Sequence, residues 1–184
     1  MNAPPSQSSK VFLRPMVESD FTESYIAWFR DPLVTRFLAA RNISIQDSMD
    51  HWRRGQQGNA WFMYAICAVE DGRHIGNLKL GPINWSHMIS DMSTVIGDRS
   101  TWGQGRARDA IRLGIGIAFD ELNIRKLSAS IDSDNIGSIK AYTGAGFHIE
   151  ATLKDQFMDA TQTPPRLSDR VYVACVNPAF RPSK

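Results

Sequence analysis

Trp102-Gly103-Gln104-Gly105-Arg106-Ala107 stands between a strand-like run at 91–96 and a long amphipathic segment at 104–122. A glycine-rich turn that opens a helix gathers unpaired backbone N–H groups and the positive end of a helix dipole in one place, which suits a phosphate. Two familiar phosphate turns are excluded by spacing. The dinucleotide fingerprint would put Arg108 where a third small residue must let helix and strand pack closely. A P-loop needs Gly-Lys-Ser/Thr after four spacers, and the sequence has no such string. Such a turn can also simply end a strand and start a helix, so its surroundings decide between a cradle and a connection.

Those surroundings alternate strand and helix. Downstream, apolar positions Ala107, Ile111, Ile115, Ala118 and Leu122 predict a helix buried against a sheet, with Gly114 and Gly116 marking close backbone packing. Residues 126–131 predict a strand, 135–145 a helix, and Gly146-Phe147-His148-Ile149 the start of another strand. The β-branched run at 170–176 predicts a last strand, free to pair across a two-fold, after a polar loop at 157–170. Upstream, Val11-Phe12-Leu13-Arg14 alternates as a strand, and 19–30 carries Phe21, Tyr25, Ile26 and Phe29 at helical spacing up to Asp31-Pro32. Ser44 and Asp47 predict a capped helix start, with Ile45, Met49 and Trp52 on one face. Residues 60–69 and 74–80 form a hairpin around Glu70-Asp71-Gly72-Arg73, and 84–90 is a loop holding Trp85 and His87. The expected architecture is mixed α/β: one domain over 11–177, with tails at 1–10 and 178–184, built on a single sheet.

Composition narrows the function classes. With 184 residues, 42% apolar and 22% charged, the chain reads as an ordinary globular domain. Apolar runs are too short for a membrane span, the first ten residues lack an apolar signal core, and cytoplasmic residence is the expectation. A net charge of +2, with Arg53-Arg54 and Arg125-Lys126 as isolated pairs, argues against nucleic-acid binding. Cys67 and Cys175 lie in apolar runs and read as buried free thiols, and four scattered histidines show no metal-ligand spacing.

Three pieces in order, Gly72-Arg73-His74-Ile75-Gly76, the turn at 102–107, and Asn135-Ile136-Gly137-Ser138-Ile139-Lys140-Ala141-Tyr142 followed by Gly146-Phe147, resemble the GCN5-related N-acetyltransferase (GNAT) superfamily. The likeness spans 11–176 and is greatest to the branch of ribosomal-protein-alanine N-acetyltransferases and of acetyltransferases from nucleotide-sugar pathways. It implies a mostly antiparallel twisted sheet of about six to seven strands, splayed at the cofactor strand and flanked by about four helices. The superfamily motif Gln/Arg-x-x-Gly-x-Gly/Ala falls on Trp102, Gly105 and Ala107, and Trp102 departs from it as this branch commonly does.

The resemblance also implies a set of roles. Acetyl-CoA is the co-substrate, its pyrophosphate held by backbone groups of Trp102, Gly103, Gln104, Gly105, Arg106 and Ala107. Its pantetheine arm pairs with the strand at 93–96, Val95 and Ile96 included. Asn135 and Ser138 bind the arm, although an Asn there also serves as a helix cap for Ser138. Tyr142 is the general acid to the leaving thiolate, against the reading of a core tyrosine. Asp91 is the proton acceptor for the amine, against that of a solvent-facing carboxylate, with His87 as second candidate. Trp28, Trp85 and His87 fall where such enzymes shape the acceptor pocket, though most aromatics there are core. The acceptor is a protein N-terminal amine or a small molecule such as a nucleotide amino-sugar, and the state monomer or homodimer. The competing class is a CoA-binding module without catalysis.

Overall fold

The computed structural model describes residues 6–38, 41–159 and 163–181, so parts of both expected tails and of the 157–170 segment lie outside the described residues. One eight-stranded sheet runs in the order β1-β2-β3-β4-β5-β6-β8-β7. Its strands are β1 (Ser6–Gln7), β2 (Val11–Pro15), β3 (Phe62–Ala68), β4 (His74–Asn84), β5 (Ile89–Ile96), β6 (Lys126–Asp132), β7 (His148–Asp159) and β8 (Arg166–Val176). Among the described residues four α-helices accompany it: α1 (Glu23–Arg30), α2 (Ile45–Gln57), α3 (Arg106–Gly116) and α4 (Ile136–Ala145). Seven substantial strands and four helices match the expected α/β layout, and β1 adds a two-residue edge inside the expected tail, Ser6 pairing with Leu13 and Gln7 with Phe12.

Period-two alternation sorts side chains to the two faces. Val11, Leu13, Ile66, Ala68, Leu78, Leu80, Met92, Leu127, Ala129, Val171 and Val173 point to the larger core, which α3 and α4 cover. Ala65 and Cys67 point the other way, into a smaller core with Phe21, Tyr25, Ile26 and Phe29 of α1 and its approach. Cys67 is buried, whereas Cys175 is only partly so.

Local chemistry sets the helix starts. Ser44 Oγ accepts from the Asp47 N–H at 3.1 Å while Asp47 accepts from the Ser44 N–H at 3.2 Å, a reciprocal capping box at the start of α2. Thr22 caps α1 through the Tyr25 N–H, so the helix begins at Glu23 rather than at 19, and Glu18–Asp20 is a separate 3-10 turn. A Cβ on Gly114 would lie 2.6 Å from Leu78 Cδ1, as its expected close packing requires. Gly116 does not share that role: its nearest neighbour would be Asp120 Oδ2 at 3.8 Å.

Every strand pairing is antiparallel except β5–β6, which is parallel and holds only over Ile89–Asp91 against Lys126–Ser128. Beyond Asp91 the two strands part in a splay. The C-terminal end differs from expectation in two respects. The segment at 157–170 is not a loop throughout, because β7 continues to Asp159 and β8 starts at Arg166. Strand β8 lies between β6 and β7 and has no free edge for pairing across a two-fold; the sheet edge there is β7.

Candidate active site

Two positive-φ glycines shape the turn before α3. Gly103 has φ 75° and Gly105, the residue capping α3, φ 79°, a region in which residues with a Cβ are strained. The first backbone bond onto the turn runs from the Asp109 N–H to the Gly105 carbonyl at 3.1 Å. Among the described residues, the N–H groups of Gly103, Gln104, Gly105, Arg106, Ala107 and Arg108 have no backbone acceptor. These six successive donors belong to residues that line one cavity.

Side chains of the turn face elsewhere. The Trp102 indole donates to the Ile96 carbonyl at 2.9 Å, tying the turn to the end of β5. Gln104 Nε2 donates to the Ser100 carbonyl, and its Oε1 accepts from Arg106 Nε. The Arg106 guanidinium is held by both Glu70 oxygens, at 2.5 and 3.1 Å, and by the Lys10 carbonyl. Its charge is thus spent on the scaffold. Lys10, read as part of a tail, donates to the Gln104 carbonyl at 2.8 Å and stands beside Gly105.

The turn opens into a cavity of about 1010 Å³ that continues along β5 to Asn135, Ser138 and Tyr142. Strand parity decides which groups of β5 it meets. The Gly97 N–H bonds the Ile75 carbonyl across the ladder, so by alternation Val95 directs its main-chain groups to β4, while those of Thr94 and Ile96 face the splay. A Cβ on Gly76 would lie 2.2 Å from the Val95 oxygen, which fits that orientation. The main-chain groups left at the open edge are therefore those of Thr94 and the N–H of Ile96, whose carbonyl is taken by the Trp102 indole; Val95, expected among these groups, lines the cavity but spends its main chain on β4.

Tyr142 comes up from α4 to the splay. Its hydroxyl donates to the Met92 carbonyl at 3.0 Å and lies 3.3 Å from Thr94 Oγ1. The ring is buried edge-on against Phe147, centroids 5.0 Å apart, and Gly146 makes this possible by turning the chain at φ 123° directly after α4. Burial pushes the Tyr142 phenol well above its ordinary value, against a smaller lowering by Thr94, so it keeps its proton at neutral pH. Asn135 caps α4 by accepting from the Ser138 N–H at 3.1 Å, and both residues line the cavity.

Asp91 marks where β5 and β6 begin to part. It pairs with Ser128 in the parallel register, is solvent-exposed, and accepts from Ser128 Oγ at 2.6 Å. Odd positions of β5 lie on the face opposite Met92, so Asp91 and Tyr142 approach the splay from opposite sides of the sheet.

The three expected acceptor residues do not converge on this cavity. Trp28 packs on His74, centroids 5.1 Å apart, covers Gly97, and walls a separate cavity of about 670 Å³. The Trp85 indole donates to the Asn59 carbonyl at 2.7 Å. His87 donates its N–H to Asn84 Oδ1, and its carbonyl accepts from Arg125. The cavity is lined instead by residues 33–34 and 36–38, a stretch whose sequence gives no signal beyond a turn after α1. Among the described residues no three metal-ligating side chains converge, and no helix is long and apolar enough to cross a membrane.

A family model described as an acetyltransferase (GNAT) domain matches residues 10–148. The chain belongs to the GNAT acetyltransferase family. It is 26% identical over 157 residues to an uncharacterized N-acetyltransferase p20 of Bacillus licheniformis, covering 80% of this chain and 84% of that protein. A shorter match, 31% over 87 residues, links it to the spermidine N(1)-acetyltransferase of Escherichia coli strain K12, covering 47% of this chain and 46% of that one. In fold it is similar to the Vibrio cholerae spermidine N-acetyltransferase solved with CoA and spermine, with TM-score 0.81, 18% identity, and coverage of 94% and 99%. It is likewise similar to the ribosomal-protein-S5-alanine acetyltransferase of Vibrio fischeri, with TM-score 0.80, 16% identity, and coverage of 98% and 100%. As a GNAT N-acetyltransferase the chain uses acetyl-CoA as its acyl donor. The residues present fit that donor, because six N–H groups without backbone partners, on residues that line the cavity at a helix start, are what a pyrophosphate requires.

Proposed function

We propose that this GNAT enzyme transfers acetyl to a primary amine by direct attack within a ternary complex, with Tyr142 as general acid and Asp91 as proton acceptor. Acetyl-CoA, when bound, supplies an activated acyl group and a thiolate leaving group. The observation carrying the assignment is the Tyr142 hydroxyl, protonated and placed at the mouth of the splay between Met92 and Thr94. Its proton goes to the sulfur that leaves, while Thr94 Oγ1 is placed to donate to the phenolic oxygen as charge develops there. Asp91 takes the proton that the attacking ammonium must lose, from the opposite face of the sheet. Neither thiol lines the cavity, since Cys67 is buried in the smaller core and Cys175 packs against the larger one. That supports direct transfer over an acyl-enzyme.

Relatives in this fold act on spermidine and on the alanine of a ribosomal protein, so a small polyamine and a protein α-amine bracket the acceptor classes to test. Thiol release from acetyl-CoA, followed across α-amines, amino-sugars and polyamines, is the test. Turnover with at least one class is expected; calorimetric CoA binding without turnover on any would leave a binding module in its place.

A further inference from the structure

On the face of the sheet that carries Asp91, one cation, Lys79, has no hydrogen bond or ion-pair contact among the described residues, although Asp91 acts on it through space. Lys79 of β4 lies directly opposite Ser93 of β5, and Asp91 lies two residues along β5 on the same face. Diagonal neighbours of this kind stand roughly 7–8 Å apart, within reach of a lysine. Yet Asp91 is bonded to Ser128, and Lys79 makes no hydrogen bond or ion pair among the described residues. The Lys79 ammonium instead lies over the Trp61 ring, 5.9 Å from its centroid.

That ring is a fixed support. Trp61 is wedged between α2 and β4: a Cβ on Gly55 would fall 2.1 Å from its Nε1, and one on Gly81 2.4 Å from its Cβ. His51 also stacks on it, with centroids 4.7 Å apart. Partial burial lowers the Lys79 ammonium below its ordinary value, partly offset by Asp91, so the group is held incompletely hydrated. A half-dehydrated cation on a rigid aromatic base gains more from an arriving anion than a solvated surface lysine does.

We infer that Lys79 is a specificity-determining residue for the acceptor, selecting amines that also carry an anionic group, a carboxylate or a phosphate, placed to reach Lys79 while the amine meets Asp91. The inference rests on the reading of Asp91 as the group that receives the amine. The face offers such an acceptor one negative and one positive contact about a side chain apart. A linear polyamine would meet Lys79 with a second ammonium and be repelled.

The experiment compares amino acids and amino-sugar phosphates with their uncharged counterparts, the amino-acid amides and free amino-sugars, and with spermidine. The wild-type enzyme and Lys79→Gln, Lys79→Arg and Lys79→Glu are assayed by thiol release. Expected for Lys79→Gln is a fall of about 10- to 100-fold in kcat/KM for the anionic acceptors, carried mainly by KM, with the uncharged counterparts changed less than about threefold; that loss is the range one charge-assisted hydrogen bond supplies. Lys79→Arg should retain the preference and Lys79→Glu should invert it toward spermidine. The preferred arm, carboxylate or phosphate, identifies the anion's source. A wild-type preference for uncharged or cationic amines, or an equal loss on all acceptors in Lys79→Gln, overturns the inference and leaves the transferase reading standing. CoA binding with no turnover on any amine overturns both.

Discussion

Tyr142 is joined to Met92 by a hydrogen bond of 3.0 Å from its hydroxyl to the strand carbonyl, at the point where β5 has just left β6. The hydroxyl is thereby held on the strand whose free edge faces the cavity. Tyr142→Phe keeps the ring packed on Phe147 and removes only the hydroxyl. We expect kcat to fall by about 10²–10⁴, the usual contribution of a positioned general acid, with CoA affinity within about threefold of wild type. Single-turnover rates and calorimetry check the two halves, and an unchanged rate would remove Tyr142 from the acid role.

The cradle before α3 depends on Gly105 at φ 79°, with Lys10 Nζ 3.3 Å from where a Cβ would sit. Gly105→Ala imposes a left-handed strain of about 1–2 kcal/mol and displaces the lysine beside the donors. CoA affinity should fall at least tenfold while the acceptor KM stays constant. Arg106→Gln is the contrasting variant, because its guanidinium is committed to Glu70. It should lower unfolding stability and change CoA affinity far less than Gly105→Ala. A larger affinity loss in Arg106→Gln would mean that this side chain, rather than the turn's backbone, holds the pyrophosphate.

How much of this was legible follows from which forces act locally. The turn at 102–107, the Ser44 and Asp47 cap and the Asn135 cap rest on bonds within a few residues, and each is visible as a spacing. The ends of β7 and β8 were not, since most of β7 is solvent-exposed, its register shifts between Leu153 and Phe157, and Asp155 has φ 49°. Such a strand shows no alternation of apolar and polar residues. The same limit applies to the site. Whether Thr94 or Val95 offers its main chain to the splay depends on the register with β4, which no residue of β5 encodes alone. Lys79 reads as an ordinary polar position of a strand, and its place over Trp61 exists only once α2 and β4 are packed together.

Two glycines two residues apart in α3 separate packing from helix propensity. Gly114 is buried, and a Cβ there would meet Leu78 Cδ1 at 2.6 Å and Met92 Cε at 3.0 Å, both in the larger core. Overpacking of about 1–3 kcal/mol then outweighs the roughly 1 kcal/mol that alanine gains over glycine in a helix. Gly116 has only Asp120 Oδ2 at 3.8 Å in its way, so there the propensity acts unopposed. Urea unfolding should find Gly114→Ala less stable than wild type and Gly116→Ala more stable by up to about 1 kcal/mol. Equal shifts of the same sign would contradict the packing seen at Gly114.

Acid should destabilise the fold in two steps, one at His74, where α1 packs against β4, and one at Asp20, which is paired with Arg14 of β2 and lies 4.0 Å from the His74 ring. His74 is largely buried beside Tyr25 and Trp28, with Nε2 2.8 Å from Asn77 Oδ1, and burial lowers its ring below the ordinary value. A histidine depressed on folding binds protons more readily when unfolded, so its contribution is complete above about pH 6.5 and is lost as the pH falls through the folded value. Asp20 acts lower on the scale. Burial alone would raise its carboxyl, but bonds from Arg14 at 2.6 and 2.7 Å and from the Val17 N–H at 2.8 Å outweigh that and hold it below its ordinary value. Its contribution is complete above about pH 4 and is lost below. His74→Gln should therefore flatten stability between about pH 5 and 7 and leave the steeper acid limb in place. Arg14→Gln removes the largest lowering bond, so the Asp20 carboxyl rises from its depressed value, and this variant loses most at neutral pH and approaches wild type as the pH falls below about 4. The expected loss at pH 7 is about 1 kcal/mol, toward the low end for a charged hydrogen bond because Arg14 is 35% exposed. Urea midpoints from about pH 2.5 to 7.5 for the three proteins test this, and parallel stability curves would show that neither group titrates with folding.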